Sequence, residues 1–259
     1  MTNRSFAVAA LCTAAALSSC DKNAVQQLPL GPVAASRIKF FNFGVNAPGV
    51  NFYANNTKMT AILSSTNQEA VIGVVYGGAG NAGLYCGIAP GQYSLTGRIA
   101  ATTDKDLPID TLTATIVDGK LYSFYLSGFY NTTTKIVDAF LVEDPDPVQT
   151  DYTVAYVRFV HAIGNANPMT LYAKNSDTTV TKDSIAVGGA VAYKAAGAFT
   201  AVPNGVYNLI TRYTGSNTSV ITRAGVSFVG GHVYTIGARG DVTVTSGATA
   251  PALDNTANR

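Results

Sequence analysis

Apolar and polar residues alternate with a period of two along residues 38–56. Ile38 and Phe40 fall on one side of the extended chain, and Lys39 between them falls on the other. This alternation predicts a β-strand with one buried face and one exposed face. No stretch after residue 19 sustains the spacing of an amphipathic helix, so the pattern indicates an all-β protein.

The same pattern returns near the middle of the chain. Residues 157–175 align without a gap to residues 38–56, with six of nineteen positions identical and with Arg158 in the place of Lys39. Two further blocks recur in the same order, residues 89–98 with 202–212 and residues 118–124 with 230–236. Each copy is about 100 residues long, the size of one domain, which indicates a duplicated domain.

Turn signals separate the predicted strands. Pro90-Gly91 and Pro203-Asn204-Gly205 combine a fixed φ with a residue that tolerates positive φ, and each precedes an alternating segment. The predicted fold is therefore two tandem antiparallel β-sandwiches, immunoglobulin-like and of about seven strands each. The predicted boundaries are residues 36–147 for the first domain, 148–245 for the second and 246–259 for a flexible C-terminal tail.

The segments VRFVHAIGNANPMTLYAKN, VPNGVYNL and GHVYTI resemble the bacterial domain-of-unknown-function family 4397 (DUF4397). The first half of the chain carries the same pattern more loosely, so the resemblance covers most of residues 36–245. It implies secreted or lipid-anchored sandwich domains without an established activity. The first copy departs from the second at Asn42, which stands where the second has His161.

The first 19 residues have the features of a secretory signal. Arg4 is the single charged residue before Asp21, and the apolar stretch from Ser5 to Leu17 is too short to span a bilayer. The order Leu17, Ser18, Ser19, Cys20 resembles the signal peptidase recognition site of bacterial lipoproteins. That resemblance implies cleavage before Cys20 and lipidation of its thiol; the alternative is an ordinary signal with a chance cysteine.

Residues 20–35 contain two prolines, one glycine and no sustained periodicity, and they are predicted to be a tether. Two acyl groups on a diacylglycerol and a third on the amino terminus bind a bilayer far more tightly than one chain does. The predicted location is the bacterial cell envelope. The outer membrane is expected, on either its periplasmic or its surface face.

Charge and cysteine content restrict the partners. Removal of residues 1–19 takes away Arg4 and leaves 16 basic against 15 acidic residues, so nucleic acid is not expected as a partner. Cys12 leaves with the signal and Cys20 carries the lipid, which leaves Cys86 without a disulfide partner. No cofactor and no metal site are predicted.

Several short motifs favour structural roles over chemistry. His161 has no neighbouring histidine and is predicted to be a hydrogen-bonded structural residue. Residues 78–83 match G-x-G-x-x-G, but Gly87, Pro90 and Gly91 follow where a nucleotide-binding helix would begin. Arg239-Gly240-Asp241 lies where a hairpin needs turn residues, and residues 142–147 (VEDPDP) are predicted to be a stiff, solvated linker.

The predicted function is non-enzymatic: a lipid-anchored binding or structural module. Tyr53 and Tyr172 occupy matching positions opposite the core phase, and they are candidate contacts for an envelope glycan or protein, unless they cover an edge or a domain interface. The alternative is an envelope enzyme of the glycan hydrolase type. It would use carboxylates in the long loop of the first copy, Asp104, Asp106 and Asp110.

Overall fold

The computed structural model describes residues 35–62, 64–65, 68–147, 151–177, 179 and 183–258. The predicted signal segment and the proposed lipidation site at Cys20 lie outside these residues, as does nearly all of the tether. The described chain is built from β-strands and one short 3-10 turn at Gly80–Gly83, in agreement with the predicted all-β class.

The first domain has two sheets packed face to face. Its strands are β1 (Arg37–Asn42), β2 (Val50–Ala54), β3 (Thr57–Lys58), β4 (Gly78–Ala79), β5 (Cys86–Gly87), β6 (Gly91–Ile99), β7 (Leu112–Ile116), β8 (Leu121–Asn131) and β9 (Ile136–Glu143). One sheet has the order β4-β1-β8-β9, with β5 also paired to β1, and the other has the order β3-β2-β6-β7.

The second domain repeats this arrangement strand for strand. Its strands are β10 (Val154–His161), β11 (Met169–Asn175), β12 (Ile185–Val191), β13 (Ala195–Ala196), β14 (Thr200–Pro203), β15 (Gly205–Tyr213), β16 (Ser219–Phe228), β17 (Val233–Arg239) and β18 (Ala252–Ala257). The sheet orders are β13-β10-β17-β18, with β14 also paired to β10, and β12-β11-β15-β16. The strand order of the first domain thus recurs in the second.

The sheets are not wholly antiparallel. In each domain the first strand runs parallel to the penultimate one, β1 beside β8 and β10 beside β17. A short turn between two strands, as between β8 and β9, makes the pair antiparallel. Most of the domain lies between β1 and β8, so no hairpin sets their relative direction. Periodicity reports burial and carries no information about strand direction.

Each domain has its own apolar core, formed by the residues whose phase predicted burial. In the first domain this core includes Ile38, Phe40, Val50, Phe52 and Ala54, all at most 2% exposed. In the second, the equivalent residues are fully buried: Val157, Phe159, Met169, Leu171 and Ala173. The period-two prediction of the core is confirmed.

The two domains pack against each other through the sheets that contain β1 and β10. A third apolar cluster fills the space between these sheets: Phe41, Phe43, Tyr125, Phe140, Val160 and Ala162. The described residues therefore form four layers of sheet, and the two central sheets are buried on both faces. The prediction of one exposed face is wrong for β1 and β10, because the other domain covers that face.

Large side chains of the first domain face small ones of the second across this interface. Phe41 stacks on Tyr125 with ring centroids 4.6 Å apart. The equivalent pair in the second domain, by sheet register, is Val160 beside Gly237. A Cβ atom added to Gly237 would lie 2.7 Å from a ring carbon of Phe43, so the absent side chain makes room for that ring.

The second domain extends beyond the predicted boundary at residue 245. Residues 252–257, assigned from the sequence to a flexible tail, form β18, which pairs with β17 at the edge of the central sheet. The segment is rich in small and polar residues and lacks a strong alternation, which is why the sequence did not indicate a strand. Its Leu253 is 3% exposed and belongs to the core of the second domain.

Gly237→Val should destabilise the folded protein by about 1–3 kcal/mol, because a branched side chain would overpack against Phe43. Valine is otherwise favoured in strands, so a loss of stability would come from the interface. Chemical denaturation followed by circular dichroism measures the effect. Ala186→Val, at an exposed position of β12, is the matched control and should change stability by less than about 0.5 kcal/mol. Equal effects of the two substitutions would contradict the packing described.

Candidate functional site at the domain interface

A cluster of charged side chains lies between the two central sheets. Lys39 of β1 and Arg158 of β10 stand at equivalent positions of the two copies, and each is only 1% exposed. Buried charges are costly unless they are paired and hydrogen-bonded. The partners of these two cations therefore determine how the interface is held.

Each nitrogen of the Arg158 guanidinium has a hydrogen-bond partner, and the partners come from both domains. Its guanidinium forms a buried ion pair with Asp144, donates to the carbonyl oxygen of Glu143 at 2.9 Å, and donates from Nε to Thr235 Oγ1 at 3.0 Å. Asp144 and Glu143 belong to the end of the first domain, whereas Thr235 lies on β17. The pair therefore bonds one domain to the other.

Asp144 accepts two further hydrogen bonds, from the Tyr85 hydroxyl at 2.7 Å and from Ser123 Oγ at 2.6 Å. Burial, with the charge of Asp144, raises the pKa of Tyr85, so this phenol stays protonated and continues to donate. Asp144 is 2% exposed. The expectation of a solvated linker at residues 142–147 is therefore wrong at Asp144, because its charge is neutralised by Arg158 inside the interface.

Lys39 also reaches into the other domain. Its Nζ donates to the carbonyl oxygen of Ala257 at 2.7 Å and lies 3.3 Å from Asn258 Oδ1. The Tyr85 ring covers it, with Nζ 4.2 Å from the ring centroid. Burial lowers the pKa of Lys39 to about 8, against the opposing effect of Asp144.

A groove of about 380 Å³ opens beside this cluster, between the two domains. Phe41 and Phe43 line it and are themselves nearly buried, so they form its floor. One wall contains residues 79 and 82–84, with Leu84 68% exposed, and the opposite wall is residues 254–257 of β18 together with Arg223. The groove thus combines an apolar floor with polar groups on one side.

The glycine-rich segment 78–83 belongs to this groove and to no nucleotide site. It forms β4 and a single 3-10 turn in which Asn81 and Ala82 have left-handed backbone angles, with φ of 50° and 55°. No α-helix begins there, so the row of amides that would face a pyrophosphate is not built. The segment connects β4 with β5 along one wall of the groove, as expected of a strand connection.

The two candidate tyrosines are covered by arginines. The Arg98 guanidinium lies 4.3 Å from the ring centroid of Tyr53, and Arg212 lies 5.1 Å from that of Tyr172. Tyr53 is only 7% exposed, so it does not offer a stacking surface, whereas Tyr172 is half-buried. The matching positions therefore reflect a duplicated cation–π contact on the two outer sheets.

His161 has the structural role predicted for it. Its Nε2 lies 3.2 Å from the carbonyl oxygen of Asn167, and its Nδ1 accepts a hydrogen bond from the backbone N–H of Ile163 at 3.2 Å. Burial lowers the pKa of His161. Asn42 makes the equivalent contact in the first copy, where its Nδ2 donates a hydrogen bond to the carbonyl oxygen of Pro48 at 3.0 Å. Asn42 and His161 thus differ in chemistry, but each forms a hydrogen bond from its strand to the following loop.

The three loop carboxylates each have a separate structural partner. Asp104 pairs with Lys135, and Asp106 lies 3.4 Å from the Tyr53 hydroxyl. Asp110 is buried and accepts a hydrogen bond from the backbone N–H of Gly97 at 2.6 Å. Burial raises the pKa of Asp110 to about 7. Four of the grooves formed by described residues, the one above among them, are lined by none of these three carboxylates.

The remaining sequence motifs also have structural roles. Asp241 accepts a hydrogen bond from the backbone N–H of Thr243 at 2.8 Å, which is the geometry of a turn. Arg239 pairs with Asp254 of β18. Cys86 is half-buried and its Sγ lies 3.3 Å from the carbonyl oxygen of Ile38. Within the described part of the chain, no three histidine, cysteine or acidic side chains are grouped as metal ligands, and no helix is long and apolar enough to cross a bilayer.

The fold and the interface define a class of protein with two β-sandwich domains joined through a buried, partly charged sheet-to-sheet contact. The sequence model of a family described as a domain of unknown function (DUF4397) matches residues 36–172, more than half of the 259-residue chain. The chain belongs to this family. The match spans the first domain and continues into β11 of the second. No curated protein matches the chain.

Sequence reasoning missed the buried charge cluster. The signal was present, because Lys39, Phe41 and Phe43 share one phase of the alternation along β1 and the residue that follows it, and a solvent-facing strand surface seldom carries two adjacent aromatic positions. Asp144 could not be found in this way, since its burial depends on a partner that lies in the other domain.

Asp144→Asn should lower the free energy of unfolding by about 3–5 kcal/mol, because it leaves Arg158 buried without a counter-charge. The neighbouring substitution Glu143→Gln is the control, since Glu143 pairs with Lys120 at the surface, where both side chains are more than 40% exposed. Its expected cost is below about 1 kcal/mol. Urea denaturation of both variants makes the comparison, and a small effect of Asp144→Asn would contradict the structural role assigned to the pair.

Proposed function

We propose that the protein is a lipid-anchored component of the bacterial cell envelope with a non-enzymatic binding role. In this proposal the acylated Cys20 holds the chain at the membrane, and residues 20–35 connect the anchor to β1. The two domains, fixed to each other by the interface, present the groove between them to a partner in the envelope.

The observation that carries the binding role is the groove itself. Binding sites are concave, and they commonly lie between domains, with an apolar surface and a few polar groups that fix orientation. The groove of about 380 Å³ has Phe41 and Phe43 at its floor and Arg223 and Asp254 at its side. The buried ion pair between Arg158 and Asp144 supports a groove that keeps its shape, because it fixes the two domains that line it.

No specific observation favours the alternative of a glycan hydrolase. Such an enzyme needs a pair of carboxyl groups on opposite sides of a bond to be cleaved. Asp104 is paired with Lys135, and Asp110 is buried against the backbone of Gly97. These contacts are typical of carboxylates that stabilise a loop.

Cys20→Ala should release the protein from the membrane, because the thiol that would carry the lipid is removed. The measurement is fractionation of the producing cells, with the protein detected by immunoblot in membrane and soluble fractions. Cys12→Ala is the matched control and should leave the distribution unchanged. Mass spectrometry of the amino-terminal peptide provides a second readout, and an unmodified first residue in the membrane-bound protein would contradict anchoring through Cys20.

Leu84→Glu should weaken partner binding at the groove at least tenfold, because it places a charge beside the apolar floor. Purified protein is immobilised and tested separately against envelope polysaccharide and against envelope proteins. Val117→Glu, at another exposed apolar position of 51% exposure, is the control and should bind as the unchanged protein does. If Leu84→Glu binds a ligand as well as the unchanged protein does, the contact lies outside the groove. If the unchanged protein retains neither polysaccharide nor protein, the proposed binding role of the groove is contradicted.

A further inference from the structure

The amine of Lys39 and the side-chain amide of Asn258 meet between the two domains. Nζ of Lys39 lies 3.3 Å from Oδ1 of Asn258, whose carbonyl carbon is an electrophile. Lys39 belongs to β1, the first strand, whereas Asn258 directly follows β18, the last strand. Holding two groups in a fixed orientation favours a reaction between them, and here the amine contacts the oxygen that is bonded to the electrophilic carbon.

Both polar atoms of the Asn258 amide are held in place. Oδ1 faces Lys39, and Nδ2 donates a hydrogen bond to Thr235 Oγ1 at 2.9 Å. A second bond from Lys39, to the carbonyl oxygen of Ala257 at 2.7 Å, aligns the amine with the end of β18. The orientation of the amide toward the amine is therefore set by two strands of the rigid interface.

The surroundings suit an acyl transfer. Lys39 is 1% exposed, and because burial lowers its pKa to about 8, a minor fraction of the amine is unprotonated near neutral pH. The titratable groups that face it are Tyr85, Asp144 and Arg158. Tyr85 and Asp144 line the same cavity of about 170 Å³ as Asn258, which gives a small leaving molecule a place to go.

We propose that Lys39 and Asn258 form an intramolecular isopeptide bond. The unprotonated Nζ attacks Cγ of Asn258, a bond forms between Nζ and Cγ, and the bond between Cγ and Nδ2 breaks. The proton that Nζ gives up is transferred to Nδ2, which leaves as ammonia. An amine and a primary amide become a secondary amide and ammonia, so no oxidant, reductant or cofactor takes part.

The second copy cannot form the equivalent bond at β10. Arg158 stands in the place of Lys39, and its guanidinium remains protonated at any pH at which the protein is folded. One cross-link therefore ties the first strand of the first domain to the end of the last strand of the second. This inference is independent of the ligand proposed for the groove and of the lipid at Cys20.

Tryptic digestion of the purified full chain followed by tandem mass spectrometry tests the proposal. Acylation of Lys39 blocks cleavage after it, so the expected product is residues 38–58 joined to residues 240–259, lighter than the two peptides together by one ammonia. Residues 40–58 and 240–259 recovered as separate, unmodified peptides would overturn the proposal. Recovery of residues 240–259 as a separate peptide in which Asn258 has been hydrolysed to aspartate would also overturn it.

Two variants separate the chemistry from folding. Lys39→Arg keeps the charge and the hydrogen-bond donors but cannot be acylated, and Asn258→Ala removes the electrophile. Both should release residues 240–259 as a free peptide, while circular dichroism of Lys39→Arg should match that of the unchanged protein. A joined peptide that persists in either variant would contradict the assignment of the bond to these two side chains.

Discussion

The structure depends on the burial of a second face on each central sheet. A sandwich domain normally exposes the outer face of both sheets, but here the sheets that contain β1 and β10 cover each other. That constraint explains three features together. Phe41 on β1 and Phe43 just after it face outward, the opposing strand β17 carries Gly237 to receive a ring, and the cations Lys39 and Arg158 have partners in the other domain.

The duplicated halves have diverged where they meet and kept their pattern elsewhere. Each core uses the same phase, with Phe40 and Phe52 in one domain and Phe159 and Leu171 in the other. On the outer sheets each domain keeps its tyrosine beneath an arginine. At the interface, by contrast, the bulky side chains belong to the first domain and the small ones to the second. Two bulky faces would clash and two small faces would leave a gap. The interface therefore favours contact between the first domain and the second over contact between two copies of the same domain.

Period-two alternation was sufficient to predict the all-β class and the cores, because it reports which side chains share a face. It could not show what covers the opposite face, and so Lys39 and Arg158 were expected on a solvated surface. The same limit applies to the candidate site. Tyr53 has the right phase for exposure, but its environment depends on Arg98, which is far away in sequence and adjacent in the sheet. The lipidation of Cys20 rests on the order of residues 17–20 and stays a prediction.

The parallel pairing of β1 with β8 has a mechanical consequence. A pull on the tether enters the folded part of the chain at Arg37 and acts along β1, whose six residues are all in register with residues 121–126 of β8. Tension in that direction loads the bonds of the ladder side by side, so they must slide together instead of opening one after another. A protein moored at its amino terminus would thereby resist unfolding by drag on whatever it holds.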